Sequence, residues 1–254
     1  TTDTPSTPPT VATHSSAFEA FVAPARTHPQ LWRLVLGVLL IAVTMLVLIG
    51  LQVGVMYWFV GAEAFPDWIN LFVKALSPTG ALLLMLSFAG MALGPMLAAK
   101  LLHKRRFLSV IGPLRVAARD FAVTAVIVAL IMAVSVSIWS VNFHAVPNIP
   151  PQMWFLFLPL AVVGILLQTG AEEVLFRGYL AKQMAARFAQ PWVWMTVTAI
   201  AFGALHYQPE VAPASRWLVV GWATLFGFAA ADLTRVSGSI GAAWGFHFAN
   251  NALA

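Results

Sequence analysis

Gly170-Ala-Glu-Glu-Val-Leu-Phe-Arg-Gly-Tyr179 places three full charges within six residues of a chain that is 60% hydrophobic and only 9% charged. The stretch follows directly on the apolar run 153–167. At membrane depth a charge costs about 3 kcal/mol or more, so such residues pair, line a cavity or do chemistry. On a helix, Glu173 and Arg177 are i,i+4 neighbours that can neutralise each other. Glu172 lies about 100° further round, without that partner, on one stripe with Gln168, Tyr179 and Gln183. One carboxylate reads as structural and the other as available.

Outward from this stretch, apolar runs of about 20 residues recur, each long enough to cross a ~30 Å hydrocarbon core. The runs are continuous where a membrane β-barrel would alternate, so the fold class is an all-α polytopic transmembrane bundle. With no cysteine in 254 residues there is no disulfide, thiolate nucleophile or thiolate metal site. The net charge of +5 does not point to nucleic acid, because Lys and Arg lie mainly in loops that set topology. The ten Trp read mostly as interfacial belt residues.

Residues 1–30 are rich in Thr, Pro, Ser and Ala without periodicity, and read as a disordered polar tail without the pattern of a signal peptide. Seven spans are expected, at about 34–59, 69–102, 121–141, 153 into the acidic motif, 192–206, 217–233 and 240 onward. The second is overlong and kinked or broken near Gly94-Pro95, and an eighth span arises if a long one is broken. Residues 31–151 form an N-terminal group of helices and 152–254 the part that carries the charged motifs. Alternating sides gives 12 Lys and Arg on the side of the N-terminus and 2, Lys74 and Arg216, on the other. The positive-inside rule then predicts a cytoplasmic N-terminus and, with seven spans, an outside C-terminus.

Hairpin geometry sets the depth of the motif. Glu172 lies 18 residues before Gln190, and His206 lies 15 after Pro191. At 1.5 Å per residue both stand ~22–27 Å from the turn and come roughly level. Lys182 and Arg187 predict that the turn protrudes into water, which puts the Glu172/His206 level inside the bilayer. Residues 153–188 are then one long helix of ~54 Å, tilted or kinked at Gly170. In the last span His247 and Asn251 are i,i+4 and point the same way, with His247 ~14 Å in from the turn at Gly238. Asn250 faces elsewhere. His14, His28, His103 and His144 carry no assigned role. Ser135 and Ser137 read as helix-packing hydroxyls, Asp232 and Arg235 as flank charges, and Glu210 as an exposed loop acid.

A free Glu, two His and an Asn converging inside a membrane point to hydrolysis. Glu172 can act as general base on a water that His206 positions. His247 and Asn251 can donate to the oxyanion of a tetrahedral intermediate. A second chemistry stays open: Glu172, His206 and His247 could supply three ligands to zinc. His-Glu-x-x-His, Gly-x-Ser-x-Gly and an aspartyl dyad pair are all absent.

Glu172-Glu173-x-x-x-Arg177, Phe202-x-x-x-His206 and His247-x-x-x-Asn251, in this order, resemble the three motifs of the CPBP intramembrane proteases. These are the glutamate-type CAAX-protease and bacteriocin-processing family, formerly called abortive-infection proteins. Phe-Arg-Gly-Tyr after the acidic pair and Gly-Ser-Ile before the last motif agree. The resemblance covers about 153–254, with 31–151 resembling the family's variable part. It implies that Glu172 and His206 activate water, that Glu173 and Arg177 form an ion pair, and that His247 and Asn251 stabilise the oxyanion, without a required metal. It further implies a membrane-associated peptide or protein substrate, prenylated in eukaryotic members and of other kinds in many bacterial ones. Compact size and basic loops point to a prokaryotic inner membrane. Two other classes compete: a non-catalytic membrane scaffold or immunity-type protein that keeps the fold, and a proton-coupled transporter, disfavoured by the absence of an internal repeat.

Overall fold

The computed structural model describes residues 15–143, 146 and 149–253, and among these every regular element is helical. The chain enters through α1 (Ser16–Val22) and a 3-10 turn at Ala23–Ala25. Ser15 caps α1 by accepting from the Phe18 N–H at 3.1 Å, and its hydroxyl donates to the Arg235 carbonyl at 3.0 Å. Phe18, Phe21, Val22 and Ala25 are buried, with Phe18 stacked on Trp194 at 5.1 Å. The expected tail over 1–30 is therefore corrected for its second half, while residues 1–14 lie outside the described part. The i,i+3,i+4 spacing of Phe18, Phe21 and Val22 makes an apolar face that overall Thr/Pro/Ala composition conceals.

Helix α2 (Leu31–Lys74) has 44 residues, ~66 Å at 1.5 Å per residue and far more than one crossing needs. Gly61 interrupts it at φ 75° and ψ 167°, a conformation open essentially to glycine. Glu63 and Asp67, expected in a loop, lie on the arm beyond this break. Ala75 closes α2 in the left-handed region, φ 49°. The next span starts at Pro78 rather than 69, because Ser77 and Pro78 form a helix start there, with Ser77 Oγ accepting from the Gly80 N–H. It consists of α3 (Pro78–Ser87) and α4 (Ala89–Leu101), divided at Phe88, and α4 runs through Pro95 without the expected break.

Helix α5 (Leu114–Trp139) is followed by α6 (Pro151–Glu173), a π-helical stretch (Val174–Ala181) and the short α7 (Lys182–Ala185). Together the last three make one continuous rod of 35 residues. The single long helix is as expected, but its distortion lies in the π-turns after the acidic pair, not at Gly170. Helices α8 (Pro191–Ala204), α9 (Pro213–Ser237) and α10 (Gly241–Leu253) complete the bundle.

Among the described residues five helical segments are long and apolar enough to cross a membrane. Two of the seven expected spans are shorter: α8 has 14 residues and α10 has 13, ~20 Å of helix each. Helix α10 is held inside the bundle by close backbone approach to α5. A Cβ on Gly241 would fall 2.1 Å from the Ala117 carbonyl oxygen, and one on Gly245 2.2 Å from that of Phe121. Between lipid-facing helices such small-residue contacts replace a hydrophobic driving force.

Candidate active site

The polar residues of α6 and α10 meet along one seam. Trp244 Nε1 donates to Thr169 Oγ1 at 3.2 Å, and the indole lies so close over Gly170 that a Cβ there would sit 2.7 Å from Cζ2. One turn further along each helix, His247 Nδ1 meets Glu173 Oε1 at 2.8 Å. Since a carboxylate only accepts, Nδ1 carries the proton. The same Glu173 oxygen accepts from Arg177 Nη1 at 3.0 Å, with both side chains at most 1% exposed. Arg177 Nη2 reaches the Gly227 carbonyl on α9 at 3.1 Å, and its guanidinium stacks 4.7 Å from the Phe202 ring centroid on α8. The expected Glu173–Arg177 pair is present, and it also ties α8, α9 and α10 to the rod.

Glu172 is 6% exposed. Its Oε1 accepts from Gln168 Nε2 at 2.6 Å, while Oε2 has no hydrogen-bond partner. The bare oxygen lies 3.9 Å from His247 Nε2. Asn251 Nδ2 donates to Gln168 Oε1 at 3.2 Å, so Gln168 bridges Glu172 to Asn251. Sequence reading put Gln168 on the Glu172 stripe but gave it no role; its i−4 position was the available signal. The Thr169–Trp244 bond left no comparable signal, because its partners lie 75 residues apart.

His206 follows the end of α8, half-buried, with Nδ1 donating to the Phe202 carbonyl at 2.9 Å. A carbonyl can only accept, so Nε2 is left with its lone pair. A cavity of about 150 Å³ is lined by Phe202, His206, Trp222, Phe226, His247 and Asn251, polar enough on one wall and large enough to hold water. His206, His247 and Asn251 thus share one cavity. No direct Glu172–His206 hydrogen bond joins the hairpin arms.

One expectation needs correcting here. Lys182 does not project into water: it is 2% exposed, donates to the Ser109 carbonyl at 2.6 Å and lies 3.8 Å over the Phe21 ring. Its buried anchor is the folded segment after residue 15, unseen in the sequence. Among the described residues, no group of three or more His, Asp or Glu side chains stands at metal-ligand spacing.

Residues 150–253 match the family model described as type II CAAX prenyl endopeptidase Rce1-like. This part of the chain is therefore similar to the CPBP family, to which that model corresponds. A 100-residue segment is also 35% identical to Uncharacterized protein YyaK of Bacillus subtilis (strain 168), covering 39% of this chain and 32% of that relative. The chain thus matches about a third of the relative's length. No solved structure matches. The matched segment contains all six motif residues, from Glu172 to Asn251, and this similarity together with the long apolar helices supports an integral membrane protein.

Proposed function

We propose that the chain is an intramembrane endopeptidase that hydrolyses a peptide bond of a membrane-associated peptide or protein, with its catalytic core in 152–254. The observation that carries this reading is the buried Glu172 carboxylate, whose unpartnered Oε2 lies 3.9 Å from Nε2 of His247, a residue that lines one cavity with His206 and Asn251. Glu172 takes a proton from a water that His206 Nε2 positions, and the water oxygen bonds to the scissile carbonyl carbon. The carbonyl oxygen becomes an oxyanion, to which Asn251 Nδ2 and, in its imidazolium form, His247 Nε2 donate. As the C–N bond breaks, Glu172 returns its proton to the leaving nitrogen. Glu173 orients His247 through Nδ1, as the buried carboxylate does in a Ser-His-Asp triad. By the positive-inside rule the Lys- and Arg-rich end faces the cytoplasm.

The test compares membrane proteomes of cells carrying wild type, Glu172→Ala or His206→Ala. The expected result is a precursor that accumulates in both variants, with cleavage of that precursor by purified protein reduced about 10²-fold or more. Equal processing by wild type and both variants, at matched protein levels, overturns the reading.

A further inference from the structure

Past the end of α4, residues 102–106 bring cations together without anions. Arg33 Nη1 donates to the Leu102 carbonyl, and its Nε has no partner. His103 is buried, with Nδ1 donating to the His28 carbonyl at 3.2 Å and Nε2 accepting from the Tyr179 hydroxyl at 3.0 Å. Arg187 Nη2 donates to the Gln30 carbonyl at 2.8 Å, and Nη1 to Gln183; its Nε is unpartnered. Arg105 is the extreme case. It is 6% exposed, and all three of its guanidinium nitrogens are enclosed without a hydrogen-bond partner. Among the described residues no ion pair reaches Arg33, Arg105 or Arg187. Burial, reinforced by Arg105, Arg187 and Arg33, pushes the His103 imidazole down to about 4, so the ring adds no charge of its own at neutral pH.

A buried guanidinium without an acceptor is strongly unfavourable, and its planar fork matches the oxygens of a tetrahedral oxyanion. Three guanidiniums around one neutral imidazole suit a group with several acceptor oxygens and one or two negative charges. The rim suggests where that group comes from. Lys104 and Arg106 are exposed, and so are Trp32, Leu101 and Leu108. Basic and aromatic residues beside aliphatic ones are the composition of a membrane–water boundary. Nothing in the proposed hydrolysis uses this cluster.

We propose that Arg33, Arg105 and Arg187 form a binding site for a phosphate group, presented by an anionic phospholipid headgroup or by a soluble phosphate. Reaching Arg105 requires residues 102–106 to yield outward. The test uses the full chain purified in neutral detergent. Thermal unfolding is followed with added inorganic phosphate, and separately after transfer to vesicles of neutral phospholipid with or without an anionic phospholipid. Native mass spectrometry counts retained lipid. A wild-type gain in Tm and retained anionic lipid, weakened about tenfold or more in affinity by Arg105→Gln, supports a lipid source. The same Arg105 dependence with inorganic phosphate alone supports a soluble source. Should Arg105→Gln not fold, Arg187→Gln takes its place with the same expectation, and Arg115→Gln, an exposed site, should change little. Absence of any phosphate-dependent shift, or a shift equal in the wild type and both cluster variants, overturns the proposal.

Discussion

Helix α5 and the stretch 169–179 are both drawn from the same apolar chain, yet their surroundings are opposite. None of the most apolar window of α5 is buried inside the protein, whereas all eleven residues from Thr169 to Tyr179 are. In a bilayer, lipid covers apolar side chains as well as protein does, so protein contact is spent on what lipid cannot satisfy. Polar groups and close-packed small residues therefore specify this bundle, and α5 is held through its small-residue contact with α10 while its most apolar stretch is left to lipid.

The sharpest way to break this contrast is at Glu173, whose Oε1 carries both Arg177 and His247. Glu173→Ala strands a buried guanidinium and should lower unfolding stability by about 3–5 kcal/mol, measured by thermal or denaturant unfolding in detergent. The double change Glu173→Met with Arg177→Met should recover much of that stability but no cleavage, which separates holding the fold from orienting His247. Next comes Asn251→Ala, at an exposed position. It should leave Tm nearly unchanged while lowering kcat on an identified substrate about 10²-fold, the loss expected for one oxyanion donor. Gln168→Leu removes the bridge between Glu172 and Asn251, and should reduce kcat about tenfold with little change in KM. At the small end, Leu130→Ala on the lipid-facing side of α5, where Leu130 is 63% exposed, should shift stability by no more than about 0.5 kcal/mol. A large loss at Leu130 would break the contrast as surely as a small one at Glu173.

The helical membrane fold was legible in the length of the apolar runs, because backbone satisfaction in lipid leaves few alternatives. The Glu173–Arg177 pair was legible for a local reason: i,i+4 spacing puts both on one face. The meeting of His247 with Glu173 was not, because it depends on Trp244 over Gly170 and on glycines that let α10 approach α5. Span limits were misplaced where one residue redirected the chain, at Gly61 and at Ser77-Pro78. The buried segment after Ser15 escaped notice because three apolar residues made its whole signal. Lys182 was misplaced with it, since the groups that shelter its ammonium lie on Phe21 and Ser109.

The π-helical stretch Val174–Ala181 works as a phase shifter. Each wide turn takes one residue more than an α-turn, which advances every later side chain about 100° round the rod. Without it, the face that carries Gln168 and Glu172 toward α10 would continue unrotated, and Lys182 and Gln183 would leave the sites where they are now buried. The rod thus serves two incompatible periodicities, one for the seam with α10 and one for the packing under α1. Deleting a single residue from 178–181 would leave the motif spacing upstream intact, yet put the two ends of the rod out of step.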